Sequence, residues 1–128
     1  MTGGSGMGRK DQLDQALQNL MAGSADIEAC AVVSEDGLII ASALMQGINE
    51  DHIAAMSAVL LSMGGRTVAE LNKGRLEQLF VRGENGYIIM SNAGPNAVLI
   101  TLTRKEAKLG LIFLDMSRCA STLEKILA

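Results

Sequence analysis

Few residues in this chain have the type and spacing to do chemistry. His52 is the only histidine, which excludes metal sites built from several imidazoles and hydrolytic systems with more than one His. At the start of an apolar helix, a lone His reads as a solvated side chain rather than a general base. Glu35 and Asp36 are adjacent acids, but Gly37 follows them, and Asp-Gly explains the pair better as a turn than as acid-base machinery. Arg66 is the one cation that invites comparison with an arginine finger. It lies inside a helical stretch rather than on a reaching loop, so a surface arginine is the preferred reading.

Phosphate-binding signatures are missing too. No G-x-x-x-x-G-K-[ST] occurs, and Gly3, Gly4, Gly6 and Gly8 open no strand-helix unit. The basic residues gather only at Arg104-Lys105 and Lys108, within a net charge of −3, so no concentrated positive face is offered to nucleic acid. The aromatics are Phe80, Phe113 and Tyr87, with no Trp, too few for a base-stacking platform. Cys30 and Cys119 sit far apart in apolar patterns. They read as buried reduced thiols, which fits a cytoplasmic protein. No secretory signal is visible, and no apolar run reaches the roughly 18 residues of a membrane span, so direct membrane insertion is not expected. No cofactor is implied.

The elements behind these residues are easier to read. A hydrophobic content of 48% over 128 residues suits one globular domain with a real core. Residues 1–10 are rich in Gly and Ser and read as a flexible leader, with Met7 a candidate native start; residues 11–128 form the domain. Residues 11–21 carry apolar side chains at 13, 16, 17, 20 and 21, a one-sided helix. Residues 27–34 and 38–43 form a hairpin around Asp36-Gly37, apolar enough to expect cover on both sheet faces. Residues 75–82, 87–91 and 97–103 form a meander, the first of them broken by Glu77 and Gln78 as an edge strand would be. From about Glu106 to Leu127 the period is helical throughout. The fold class expected is α+β: a five-stranded antiparallel sheet with helices on both faces, in the order α-β-β-α-β-β-β-α.

The central helix, over 51–73, organises this order and carries too little polar surface. At about 100° per residue, Ile53, Met56, Leu60, Met63, Thr67 and Leu71 form a face expected on the sheet. Ala54, Ala58, Leu61, Gly65 and Val68 form a second, small-residue face, expected against a second copy of the helix across a two-fold axis. Ala55, Val59, Ser62, Arg66 and Glu70 are left for solvent. Gly64-Gly65 costs roughly 1 kcal/mol per glycine relative to Ala, which predicts a close backbone approach there. Asn49 or Asp51 is expected to cap the helix start, and Gly74 to end it.

Taken in order, residues 36–42 (Asp-Gly-Leu-Ile-Ile-Ala-Ser), the Ala/Ser/Leu-rich helix from Ile53, residues 76–81 (Leu-Glu-Gln-Leu-Phe-Val) after Gly74, residues 86–90 (Gly-Tyr-Ile-Ile-Met), Ala97-Val98-Leu99 and Leu109-Gly110 resemble the Roadblock dynein light-chain family. The resemblance covers nearly everything after the leader. It implies a profilin-like sandwich and a dimer that joins sheets at the third strand with its central helices side by side. It also implies a platform without a catalytic motif that regulates or scaffolds Ras-like small GTPases. On that reading the homodimer interface holds Ala54, Ala58, Leu61, Gly65, Val68, Leu76, Gln78 and Phe80, and a GTPase contacts Ala55, Val59, Ser62 and Arg66. The alternatives are a small-molecule-sensing module and a structural scaffold subunit of the dynein light-chain kind.

Overall fold

The alternation of apolar stripes with Gly-centred turns resolves into eight elements in the computed structural model, which describes residues 8–128. They are α1 (Arg9–Ala22), β1 (Ile27–Ser34), β2 (Ile39–Leu44), α2 (Glu50–Glu70), β3 (Gln78–Gly83), β4 (Gly86–Asn92), β5 (Ala97–Arg104) and α3 (Leu109–Leu127). The strands form one sheet in the order β2-β1-β5-β4-β3, and every neighbouring pair is antiparallel. β3, β4 and β5 are the expected meander, and β3 lies at an edge. The α+β class and the element order are as the periodicities predict.

Two apolar layers hold the sheet. On one face Leu13, Leu17 and Leu20 of α1 and Ile112, Met116 and Leu123 of α3 pack with Ile27, Cys30, Val32, Ile89 and Leu99. On the other, Leu60 and Leu61 of α2 pack on Ala31, Val33, Met90, Val98 and Ile100. β1 is therefore buried on both sides, as its continuous apolar run predicts. Both thiols are free and buried. The Cys30 and Cys119 S–H groups point at consecutive carbonyls of α1, those of Leu17 at 3.5 Å and Ala16 at 3.7 Å.

The ends of elements differ from expectation for local reasons. Arg9 and Lys10, expected in the leader, form the first turn of α1, where Lys10 pairs with Asp14 one turn on at 2.9 Å. The rest of the expected leader, residues 1–7, lies outside the described residues. Asn49 is the cap of α2, its side chain accepting from the His52 N–H at 3.0 Å. α2 stops at Glu70 rather than Lys73, because Asn72 takes the left-handed conformation (φ 61°) before Gly74 does, a position Asn tolerates. β3 begins at Gln78 rather than Arg75. The Arg75 Nη2 donates to the Pro95 carbonyl and lies 3.5 Å from Glu35 Oε1, tying three loops together, while Leu76 turns under α2. α3 begins at Leu109, after a turn closed by the Ala107 N–H on the Arg104 carbonyl.

Candidate interaction surface

Local sequence decides which side of α2 meets the sheet, and it decides through small residues. Ser57 is the only buried residue of α2, and Ser57, Leu61, Gly64 and Val68 repeat at four, three and four, the spacing of one stripe. A Cβ on Gly64 would stand 3.2 Å from Leu76 Cδ2, whereas one on Gly65 would meet nothing within 4 Å. The close approach predicted for the glycine pair thus belongs to Gly64. A β-carbon there would push α2 off the residues leading into β3.

This rolls the helix by about a quarter turn from the face expected on the sheet. Ala54, Ala58, Leu61, Gly65 and Val68, expected against a second copy, are half-buried toward the protomer's own sheet and loops. Ala58 presses on Gly37 of the β1–β2 turn, Leu61 joins the core under α2, and Gly65 lines a cleft of about 350 Å³ beside Leu76 and Pro95. Met56, Met63, Thr67 and Leu71, expected on the sheet, are exposed instead. The physical reason is that small residues let the backbone come close, so the inward stripe is poor in volume. Hydrophobic periodicity weights large side chains and so selected a face of which only Ile53 and Leu60 turn toward the sheet.

What faces outward is an apolar stripe with polar ends. Met56 is 50% exposed, Val59 49% and Met63 65%; with His52 before them and Arg66 and Glu70 after, they alternate at four and three, the spacing of a helix-pairing seam. Ala55, Val59, Ser62 and Arg66 are all exposed as expected, and Arg66 forms an exposed pair with Glu70 at 3.1 Å.

The edge strand supplies the second half of the surface. No strand among the described residues pairs with the outer edge of β3, so its peptide groups on that side are available. Its side chains divide by parity. Leu79 and Val81 oppose Met90 and Ile88, on the α2 face, while Gln78 and Phe80 oppose Ser91 and Ile89, on the α1/α3 face. Gln78 and Phe80 are thus on the opposite side of the sheet from the α2 residues expected to share an interface with them. Leu76 is the one of the three that lies under α2.

Among the described residues no group of three or more His, Cys, Asp or Glu is placed to hold a metal ion, and none of the helices is long and apolar enough to cross a membrane. The surface presents apolar side chains and peptide groups, which is the chemistry of association.

Comparison with known proteins follows the same lines. Residues 13–103 match the model of the Roadblock/LC7 domain. An uncharacterized protein of Methanocaldococcus jannaschii is 37% identical over 98 residues, spanning 77% of this chain and 85% of the relative. The fold is similar to that of the gliding protein MglB from Thermus thermophilus, with a TM-score of 0.80 at 16% identity over 98% of this chain and 93% of that one. A second MglB structure, described as having a tetrameric arrangement, has a TM-score of 0.82 at 18% identity over 98% and 92% of the two chains.

Proposed function

Because the chain belongs to the Roadblock/LC7 domain family, we propose that it is a non-enzymatic, cytoplasmic homodimer that binds a Ras-like small GTPase and modulates its nucleotide cycle. The observation that carries this reading is the exposed Met56–Val59–Met63 stripe beside an open strand edge. Antiparallel pairing of two copies about the point between Val59 and Leu60 sets Met56 opposite Met63. It also brings Arg66 within a turn of the acidic Glu50-Asp51 of the second copy.

Magnitudes decide how much the helices contribute. Full burial of a Val or Met is worth about 1.5–3 kcal/mol, and these side chains have roughly half of that left to gain. Six of them across a two-fold axis supply about 5–9 kcal/mol, comparable to the roughly 4–15 kcal/mol cost of association. Helix pairing alone is therefore marginal, and pairing of β3 with its copy must add to it. The dimer surface on this reading is Met56, Val59 and Met63 with the β3 edge, and Ala54, Ala58, Leu61, Gly65 and Val68 act within the protomer. Ala55, Ser62 and Arg66 border the stripe and remain the contact set for the GTPase. Arg66 is a surface contact there, not a finger, since it lies within the last turns of α2 rather than on a loop and is engaged with Glu70.

One observation favours the small-molecule reading instead. A cleft of about 390 Å³ between α2 and the sheet is lined by Ile53, Met56, Leu60, Ile88 and Leu102, within the size range of ligand pockets. A second α2 laid on the stripe would cover its rim.

Size-exclusion chromatography with light scattering separates these readings, on the chain alone and with each Ras-like GTPase of its organism in GDP and GTP-analogue forms. A mass of about 27 kDa, twice 13.5 kDa, that shifts with one nucleotide form only is expected, since regulation requires differential affinity. A dimer indifferent to every GTPase refutes the regulator, and a monomer refutes the pairing.

A further inference from the structure

All three aromatic side chains of this chain meet at one place, at the margin of the core, with Tyr87 and Phe113 half-buried against it and Phe80 outermost. The Phe80 ring stacks on Tyr87 at 5.6 Å between centroids and lies 6.1 Å from Phe113, and the Arg82 guanidinium stands 5.9 Å over the Tyr87 ring. Large apolar rings ordinarily go inside. Here the interior is built from Leu, Ile, Val, Met and Ala, while Phe80 remains 41% exposed. An exposed aromatic ring beside an arginine is the composition found at the centre of protein interfaces.

A groove runs from this cluster along the α1/α3 face of the sheet. It exists because α3 lies mainly over β4 and β5 and reaches β3 at the Phe113–Phe80 contact, leaving the Gln78 side open beyond it. Its volume is about 430 Å³, with Phe113, Ser117, Ser121 and Glu124 of α3 on one wall and Glu77 and Gln78 on the other. The α3 residues follow at four, four and three, a single helical stripe. Every charge in the groove is negative. Among the described residues neither Glu77 nor Glu124 joins an ion pair; those formed are Lys10–Asp14, Arg66–Glu70 and Arg75–Glu35. The groove is thus apolar and aromatic at one end, lined with hydroxyl and amide groups along its length, and anionic and without an ion pair at the other, where Glu124 also borders a neighbouring cleft with Arg9.

We propose that this groove binds a linear segment of a partner protein, with an apolar or aromatic anchor packed against Phe80 and Phe113 and a Lys or Arg a few residues on facing Glu77 and Glu124. Ser117, Ser121 and the Gln78 amide offer hydrogen bonds to the main chain of such a segment, and the carboxylates select its charge and direction. The site lies on the other side of the sheet from the Met56–Val59–Met63 stripe, so it does not rest on the GTPase reading. A platform with both surfaces would join two partners across one sheet.

The test is selection of a random twelve-residue peptide phage library on the full chain, followed by fluorescence polarisation with the selected peptides as synthetic probes. Enrichment of an apolar or aromatic residue spaced from a Lys or Arg is expected. Binding should fall at least about tenfold, a change of about 1.4 kcal/mol, with Ser117→Arg and separately with Glu124→Lys, both at exposed positions. It should be unchanged with Leu38→Lys, at the exposed β1–β2 turn and in neither proposed surface. Thermal melts confirm that the variants fold, and light scattering of Ser117→Arg should match the wild type, which separates failure of the groove from failure of the dimer. No enrichment of that pattern, or peptides indifferent to both groove variants, or peptides weakened as much by Leu38→Lys, would each overturn the proposal.

Discussion

Gly37, at the tip of the β1–β2 turn, lies so close against Ala58 of α2 that a β-carbon on it would stand 2.6 Å from the Ala58 Cβ. Its φ of +83° is a second reason for glycine, since a side chain there costs roughly 1–2 kcal/mol. Gly37→Ala is expected to lower stability by about 2 kcal/mol or more, read as a lower urea midpoint at constant m. Ala58→Gly should not rescue it, because the Ala58 Cα and N would still lie 2.7 and 2.9 Å away. An unchanged midpoint would mean that α2 sits farther from the turn. By the same contact, Ala58→Arg disrupts the protomer itself and says nothing about pairing.

Val59 is the position where pairing is tested cleanly. It is 49% exposed and belongs to no core cluster, so Val59→Arg should change the stability of the isolated protomer by no more than about 0.5 kcal/mol. In a dimer paired along the stripe, it sets two cations near the symmetry axis and should reduce the light-scattering mass to that of one chain. A variant that stays dimeric takes α2 out of the interface and leaves the β3 edge alone.

The elements of this fold were legible because each carries its own local signal: the turn at Asp36-Gly37, the meander around Asn85-Gly86, the unbroken helical period from Leu109. The roll of α2 was not. The residues that meet the sheet most closely, Ser57 and Gly64, have little hydrophobicity to register, and Met56 and Met63, which register strongly, face out. Their side is set by how close the backbone can come to Gly37 and Leu76, residues remote in sequence. The side of Phe80 was accessible by strand parity, since Gln78 and Arg82 share it and mark it as the wetter face. Its aromatic partners were not, because Phe113 arrives from α3.

Thr101 is fully buried, and its hydroxyl has no hydrogen-bond partner among the described residues. Its strand neighbours in register are Cys30 and Ile89. Thr103, two residues on, differs in donating its hydroxyl to the Arg104 carbonyl at 3.0 Å. An unmet buried hydroxyl costs about 1–3 kcal/mol, so Thr101→Val, which keeps the shape, should raise stability by about 1 kcal/mol in urea unfolding. A loss of stability would show that the hydroxyl has a partner, such as the neighbouring thiol.

The two thiols predict a pH dependence whose sign can be worked through. Burial pushes the Cys30 thiol up to about 12, with the nearby Cys119 adding to it, and burial pushes Cys119 up to about 11. In the unfolded chain both titrate near an ordinary value of about 8.5. Below that value both states hold their protons, and the thiols contribute no slope. Above it the unfolded chain releases protons that the folded protein keeps, so the unfolded state binds fewer and stability falls as pH rises toward the raised folded values. Urea midpoints from about pH 7 to 10.5 should therefore fall more steeply for the wild type than for the Cys30→Ala, Cys119→Ala double variant, in which Lys and Tyr still titrate. In native protein at about pH 8 neither thiol should react with a disulfide reagent until the chain unfolds. Rapid labelling of Cys119 in native conditions, with an unchanged pH slope, would mean that the α1–α3 contact opens far more readily than its packing implies.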